Sequence, residues 1–153
     1  MEYELRNSLG FRISLVANRV HAMFTRGIEP YGIAPEQFAA MKIISEDSET
    51  NQSKIAEMLG KGKPTVSRTL DVLEKKGLVS RGELETDRRA KRIRLTDEGE
   101  AVLHAVIPCA KAFNDAIRER LEPQEIESFF KVLETILETV DQYDTRGEKE
   151  NDE

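Results

Sequence analysis

The chain of 153 residues contains few of the residue types that build covalent or metal-dependent sites. It has one cysteine, two histidines and no tryptophan. Cys109 alone excludes an internal disulfide and is typical of a reducing compartment, so we expect a cytoplasmic protein. His104 lies five residues before Cys109, a spacing that directs the two side chains to different faces of a helix. We therefore expect no metal site and no cofactor.

Long apolar runs and catalytic motifs are missing as well. No stretch approaches the roughly 18 to 20 apolar residues of a membrane helix, and the N-terminal segment lacks the basic start and apolar block of a signal peptide. The sequence has no glycine-rich phosphate loop, no metalloprotease helix motif and no nucleophile elbow. We expect neither a membrane protein nor an enzyme.

Charge is distributed unevenly along the chain. The whole sequence has a net charge of −6, whereas residues 61–94 hold eleven Lys and Arg against five Asp and Glu, a net charge of +6. A basic segment inside an otherwise acidic chain predicts one confined surface for a polyanion rather than general coating of nucleic acid.

Apolar spacing predicts four helices before residue 78. Apolar residues recur at steps of three and four from Leu5 to Phe24, which predicts a helix that Gly27, Pro30 and Gly32 end. A second helix starts near Pro35, and Asn51 is typical of the N-cap of a short third helix. A fourth helix starts near Pro64, buries Val66, Leu70 and Leu73, and ends at Gly77.

The period then changes from 3.6 to 2. Residues 79–84 and 91–95 alternate as two antiparallel strands, and residues 85–90 read as the loop between them. Thr96 is a typical N-cap for a long helix in which we expect Pro108 to introduce a kink, and Pro123 starts the last helix. Two helices, a tight glycine-containing turn and a hairpin are the order of a winged helix-turn-helix. The predicted fold is mainly α with a small β-wing.

The domain boundaries follow from these elements. We expect residues 33–96 to form the winged helix-turn-helix domain, residues 1–32 and 97–144 to form dimerisation helices, and the polar tail 145–153 to be disordered. The apolar stripes of residues 5–24 and 126–143 exceed what one small winged domain covers, which predicts a homodimer. Packing of these two helices within one chain is the alternative.

The candidate DNA-binding residues fall into two groups. The start of the fourth helix can present base and phosphate contacts to a major groove, with Arg68 suited to guanine. Thr65 and Ser67 can instead merely cap or solvate the helix, and wing cations can merely protect a strand edge. Lys75 and Lys76 are interpreted as partners of the helix dipole. The predicted DNA contacts are Lys63, Pro64, Thr65, Ser67, Arg68, Arg88, Arg89 and Lys91, beside the wing cations Arg92 and Arg94.

Three segments in this order resemble the MarR family of bacterial transcription regulators. They are residues 65–79 (TVSRTLDVLEKKGLV), residues 87–90 (DRRA) and residues 93–96 (IRLT) followed by Gly99. Residues 32–41 (GIAPEQFAAM) and 121–129 (LEPQEIESF) also resemble features of the family, so the resemblance covers nearly the whole length of the chain. One departure is Gly62, where similar proteins often place Asp at the helix cap, so a contact assigned to that side chain is lost.

The resemblance implies a homodimer with interlocked first and last helices, bound as two winged domains to a pseudo-palindromic duplex. It also implies that Arg89 at the wing tip enters the minor groove and that Asp87 holds its guanidinium. We therefore expect a dimeric, sequence-specific DNA-binding regulator, a repressor relieved by a small-molecule effector. The resemblance places an effector pocket between the dimerisation helices and the winged domain, where the contributing positions are expected to include Phe24, His21, Phe38, Met41 and the turn near Pro108.

Two alternatives use the same fold differently. One is a protein-interaction module that keeps the winged fold without binding DNA, although such a module does not need the concentrated cations of residues 88–94. The other is a redox or metal-sensing switch that depends on Cys109 or the histidines. We expect Cys109 instead to act as a small, partly buried apolar residue.

Overall fold

The computed structural model describes residues 4–84 and 87–150, and the side chains of residues 4–82 and 92–143. The chain divides into two compact units, Met1–Lys111 and Ala112–Glu153. Two short 3-10 turns occupy Leu5–Asn7 and Glu29–Tyr31. The other elements are α1 (Leu9–Ile28), α2 (Pro35–Glu46), α3 (Gln52–Leu59), α4 (Lys63–Lys75), β1 (Val79–Leu84), β2 (Asp87–Leu95), α5 (Asp97–Arg118) and α6 (Pro123–Glu150). The predicted fold class, mainly α with a small β-wing, is confirmed.

The first helix has the predicted length but lies four residues further along the chain, from Leu9 to Ile28. The Oγ atom of Ser8 caps α1 by accepting a hydrogen bond of 3.3 Å from the backbone N–H of Phe11. The helix passes Gly27 by one residue and ends at Ile28, within the segment from Gly27 to Gly32 that was predicted to end it. One glycine costs a helix only about 1 kcal/mol. The chain turns afterwards, at Pro30 and at Gly32, whose φ of 69° is left-handed.

The boundaries of the next three helices agree with the predicted capping residues. Pro35 is the first residue of α2. The Asn51 Oδ1 atom accepts a hydrogen bond of 3.0 Å from the N–H of Lys54 at the start of α3. Gly60 ends α3 with a left-handed φ of 58°, and Pro64 lies in the first turn of α4. Local capping chemistry therefore sets the helix-turn-helix geometry.

The core of the first unit forms where α2, α3 and α4 meet the hairpin. The inward side of α4 is buried as predicted, with Val66, Leu70 and Leu73 at most 1% exposed. Ile28 of α1 and Val106 of α5 are fully buried in the same cluster. Ala40, Met41, Ile55 and Ile93 are also fully buried.

Strands β1 and β2 pair in antiparallel register from Val79 opposite Leu95 to Glu83 opposite Lys91. The register then shifts, and Leu84 lies opposite Asp87. The predicted loop over residues 85–90 is therefore too long, because β2 already begins at Asp87. A charged stretch without glycine or proline is typical of an edge strand as well as of a loop, so composition does not distinguish a strand from a loop here.

The start of α5 is fastened to the end of α4. The Thr96 Oγ1 atom accepts a hydrogen bond of 3.0 Å from the N–H of Gly99 and donates one of 2.5 Å to the carbonyl oxygen of Gly77. The backbone N–H of Thr96 donates to the carbonyl oxygen of Leu78 at 3.1 Å. Gly77 itself has a left-handed φ of 72°. These bonds join the start of α5 to the turn that follows α4.

The second unit is dominated by α6. This helix continues to Glu150, although the polar composition from residue 145 predicted disorder. Extending a formed helix costs little, and Lys and Glu are good helix formers. The remaining tail residues, 151–153, lie outside the described residues. No helix within the described ranges is long and apolar enough to cross a membrane.

Both units carry large apolar side chains on their surfaces. On α1, Leu9 and Val16 are at least 60% exposed, and on α6, Leu137 and Tyr143 are at least 63% exposed. Isolated exposed apolar residues are ordinary, but a row of them along one helix is typical of a surface that another chain or segment covers.

Candidate nucleic-acid interface

The turn between α3 and α4 is built from backbone bonds and two glycines. The N–H of Lys61 donates to the carbonyl oxygen of Ala56 at 3.0 Å, which closes the end of α3. Gly62 is the N-cap of α4 and contributes no side-chain cap. The Gln52 side chain bridges the turn, because its Nε2 atom donates to the carbonyl oxygen of Lys63 at 3.2 Å. The start of α4 is thereby positioned against the start of α3.

The first turns of α4 present a polar surface to solvent. Lys63, Thr65 and Arg68 are exposed, Pro64 is exposed, and Ser67 is half-buried. The opposite side of the same helix is core. Neither Lys63 nor Arg68 forms an ion pair with any residue that the structure describes. Five predicted contact residues therefore lie together at one end of one helix, with two cations available to an external anion.

Further along α4, acidic residues are paired with a residue that sequence reasoning did not select. The Arg81 Nη2 atom of β1 bonds to Asp71 Oδ1. Its Nε atom lies 3.4 Å from Glu74 Oε2, close enough for charge attraction but without hydrogen-bond alignment. The Arg81 side chain is only 18% exposed. This arginine offsets the two carboxylates of α4 and joins the helix to the hairpin.

The base of β2 is fastened to the loop between α2 and α3. The Arg92 Nη2 atom lies 3.0 Å from Glu49 Oε1, and the Arg92 side chain is 28% exposed. Arg92 is therefore held by the protein, which differs from its interpretation as a DNA-contacting cation of the wing. Arg94 is exposed and has no ion-pair partner in the described part of the chain.

The side chains of the predicted wing residues lie outside the described residues. This applies to Asp87, Arg88, Arg89 and Lys91, of which the structure gives the backbone only, in β2. Their assignment to DNA contacts stays a prediction.

Lys76, interpreted as a dipole partner, has two specific acceptors. Its Nζ atom donates to the carbonyl oxygen of Gly32 at 2.7 Å and to Gln37 Oε1 at 3.0 Å. Gln37 Oε1 also accepts a bond of 3.3 Å from the N–H of Ala34, which caps α2. Lys76 therefore joins the end of α4 to the start of α2. Lys75 is exposed and lies in the last turn of α4.

The loop that carries Glu49 is itself fixed by a charged residue. A hydrogen bond from the backbone N–H of Glu49, at 2.9 Å, is the main reason that the pKa of Asp47 lies below its usual value of 3.8. The Lys54 ammonium, 3.2 Å from Asp47 Oδ2, lowers the pKa further. Asp47 therefore stays charged and holds the loop in place near neutral pH.

The residues predicted near an effector pocket lie partly together. The rings of Phe24 and Phe38 pack edge to face with centroids 5.4 Å apart, and His21 Nε2 lies 3.9 Å from Glu36 Oε1. Met41 is buried. A cavity of about 210 Å³ lies between His21 and Glu36 on one side and the first half of α4 on the other.

Cys109 is half-buried, and its Sγ atom lies 3.6 Å from the carbonyl oxygen of Gly27. Among the residues that the structure describes, no three His, Cys, Asp or Glu side chains are grouped as metal ligands.

A helix-turn-helix whose second helix exposes a cationic first turn, followed by a two-stranded hairpin, defines a winged helix-turn-helix protein. A family model described as the MarR family matches residues 33–91. The resemblance to the MarR family that the sequence indicated is therefore confirmed over these residues.

Several solved structures are similar over most of the chain. The transcriptional repressor CouR bound to a 23-mer DNA duplex is 29% identical over 90% of this chain and 99% of that chain, with a TM-score of 0.77. CouR from Rhodococcus jostii RHA1 bound to p-coumaroyl-CoA is 24% identical over 88% and 95%, with a TM-score of 0.79. MepR from S. aureus in complex with DNA is 23% identical over 86% and 98%, with a TM-score of 0.80. The p-coumaroyl-CoA complex of CouR and the MepR complex are each less than 25% identical to this chain, so these two similarities show a shared fold.

Proposed function

We propose that the protein is a dimeric, sequence-specific DNA-binding transcription regulator, a repressor whose affinity for its operator is lowered by a small-molecule effector. The observation that carries this proposal is the exposed start of α4, where Lys63 and Arg68 lack ion-pair partners among the described residues while the acids Asp71 and Glu74 are paired with Arg81. The binding end of the helix is therefore locally cationic inside an acidic chain.

In this proposal α4 enters the major groove with its N-terminal end. Arg68 donates two hydrogen bonds to a guanine edge, and Thr65 and Ser67 contact bases or phosphates. Lys63 and Pro64 lie against phosphate oxygens.

The wing then contacts the neighbouring minor groove. Arg88, Arg89 and Lys91 supply cations at the turn of the hairpin, and Asp87 orients the Arg89 guanidinium. A narrow minor groove concentrates negative potential and favours arginine.

Dimerisation uses the helices outside residues 33–96. The exposed apolar residues of α1 and those of α6 support residues 1–32 and 97–144 as the dimerisation helices. Covering such residues removes apolar area from water at about 25 cal/mol per Å². A two-fold dimer places two copies of α4 in successive major grooves, which matches a pseudo-palindromic operator.

The similar proteins support both DNA binding and effector control. CouR has been seen bound to a DNA duplex and bound to p-coumaroyl-CoA. For this chain, an effector lowers operator affinity only if it binds the conformation that is unfavourable for DNA more tightly than the other conformation. We place the protein in the cytoplasm and assign it no catalytic activity.

Selection of bound duplexes from a random DNA pool tests the proposal. We expect enrichment of a pseudo-palindrome whose half-sites are centred about 10 base pairs apart. The affinity for the selected duplex should fall steeply as salt rises. The Lys and Arg side chains of the protein release counterions from the phosphates on binding, and this release is less favourable at higher salt. Failure to enrich any sequence, together with a flat salt response, would instead indicate a protein-interaction module.

A further inference from the structure

Helix α1 carries a row of arginines and contains no aspartate or glutamate. The members of this arginine row are Arg12, Arg19 and Arg26, spaced seven residues apart. Seven residues are close to two helical turns, so the three side chains leave α1 on nearly the same side. All three are exposed, and none has an ion-pair partner among the residues that the structure describes. The row is therefore available to an external acid.

Exposed apolar side chains border the arginine row on both sides. Arg19 has Leu15 and Val16 one turn before it and Met23 one turn after it. These three apolar neighbours are between 44% and 60% exposed. A helix surface that combines exposed apolar residues with unpaired arginines suits a partner surface that is both apolar and acidic.

Helix α6 presents such a surface. Residues 123–143 of this helix hold five acids and one lysine. Three of the acids are exposed and are also spaced seven residues apart, and they form the acidic row Glu127, Glu134 and Asp141. Phe130 and Leu137, each one turn from members of this row, are at least 55% exposed. The acidic row therefore borders an apolar surface, as the arginine row does.

The acidic row is only weakly engaged within its own helix. Glu127 Oε1 lies 2.7 Å from Lys131 Nζ, and both side chains are more than two thirds exposed. A pair so exposed to water contributes little to stability and exchanges readily for another partner. Glu134 has no ion-pair partner in the described part of the chain.

We propose that the arginine row of one chain pairs with the acidic row of a second copy, and that this pairing determines which helix surfaces meet. Both rows advance by about 10.5 Å per step, so three contacts form together whichever way the helices run. A contact between two copies of α1 would bring arginines together, and a contact between two copies of α6 would bring acids together. Only α1 against α6 of the second copy joins opposite charges, and two-fold symmetry forms that contact twice.

The rows also favour pairing of this chain with itself, a consequence that rests on the dimer of the proposed function. A chain of the same fold without the acidic row would cover the apolar residues of α1 but leave Arg12, Arg19 and Arg26 unpaired. Charges that lose water without gaining a partner are costly. The rows therefore select against such a partner as well as for a second copy.

Mixing two charge-reversed variants tests the pairing at the middle member of each row. Arg19→Glu places two acids against each other, Glu134→Arg places two arginines against each other, and each does so twice in a dimer. Each variant alone should therefore weaken dimerisation of the full-length protein by about tenfold or more at low salt. Glu57→Arg, on the exposed side of α3 and outside both rows, is the control and should dimerise as the parent does.

A mixed dimer of the two variants contains one parent pair and one pair with its signs exchanged. In an equimolar mixture, mixed dimers should therefore exceed the two unmixed dimers together, as counted by native mass spectrometry without DNA. The double variant Arg19→Glu, Glu134→Arg should dimerise as strongly as the parent. Recovery in the mixture also shows that each single variant is folded.

Parent-like dimerisation of both single variants would overturn the proposal, and so would weakened variants that form no excess of mixed dimers. Pairing within one chain would give the second result, because each variant then brings its own mispaired charges into the mixture. Normal dimerisation of Arg19→Glu with reduced operator affinity would also overturn the proposal and assign the arginine row to DNA. Operator binding by the parent is measured separately. A parent that binds no operator, while the variants form an excess of mixed dimers, would count against the proposed function and not against the two rows.

Discussion

Gly99 lies against the backbone of Leu78, so closely that a Cβ atom at Gly99 would be 2.0 Å from the Leu78 carbonyl oxygen. The same carbonyl accepts the hydrogen bond from the N–H of Thr96. The first turn of α5 therefore packs directly on Leu78, three residues after the end of α4. This contact explains why glycine is required three residues after Thr96, at a position whose helical backbone any residue can adopt.

Gly99→Ala should destabilise the protein by about 1 to 3 kcal/mol, because the backbone must move to admit the added methyl group. The free energy of urea unfolding measures this loss. Gly82→Ala is the control, since a Cβ at Gly82 would have open space around it, and it should be neutral or slightly stabilising. Equal stabilities of the Gly99 variant and the parent would show that α5 can move away from Leu78 without a cost in stability.

The pairing of Arg81 with Asp71 should be measurable as a coupling free energy. Arg81→Met, Asp71→Asn and the double variant form a thermodynamic cycle in urea unfolding. We expect a coupling of about 0.5 to 1 kcal/mol, because the Asp71 carboxylate is 60% exposed and solvent screens the pair. Strictly additive effects would mean that Arg81 stabilises the hairpin by packing alone.

The fold was predictable where its causes are local. Val66, Leu70 and Leu73 are buried because a helical period places them on one side of α4, and Asn51 caps α3 because its own side chain reaches the N–H of Lys54. Both causes are contained within a few residues of sequence, so no knowledge of the rest of the chain is needed.

The role of the paired arginines was not predictable, because it depends on distant residues. Arg92 pairs with Glu49, 43 positions earlier in the chain, and Arg81 pairs with Asp71 across the turn after α4. Charge alone made Arg92 a DNA-binding candidate. The one available signal for Arg81 was its place among the inward positions of β1, opposite Ile93, where an unpaired cation is costly.

Arg68→Ala should relax the DNA sequence preference at one position in each half-site, at a cost of about 1 to 3 kcal/mol for the preferred base. Binding to the selected operator and to single-base variants of it measures the effect. Stability should stay within about 0.5 kcal/mol of the parent, since Arg68 is exposed. A uniform loss across all duplexes would identify Arg68 as a phosphate contact.

Arg89→Ala should weaken operator binding by about 1.5 to 3 kcal/mol, the range for a hydrogen bond to a charged group. Lys75→Ala is the control, because Lys75 is exposed at the far end of α4 from the proposed contact surface, and it should change affinity much less. Fluorescence anisotropy with a labelled operator measures both variants. Equal losses of operator affinity for the two variants would show that Arg89 contributes only general electrostatic attraction to DNA.

Asp47 should make a small part of the stability depend on pH. Its pKa in the folded protein lies below the ordinary value, first because of the N–H of Glu49 and then because of Lys54. The unfolded chain therefore binds the proton more readily. The stabilisation is fully present above the unfolded pKa and is lost as pH falls through the folded pKa.

Asp47→Asn keeps an oxygen that can accept from the N–H of Glu49 but removes the titration. Between about pH 5 and pH 2.5, the parent should therefore lose more unfolding free energy than the variant. Urea unfolding of both proteins at these two pH values measures the difference. Near neutral pH the variant should be the less stable of the two, because it lacks the charge attraction to Lys54. Parallel losses on acidification would show that other carboxyl groups account for the whole acid sensitivity and that Asp47 fixes the loop by its hydrogen bond rather than by its charge.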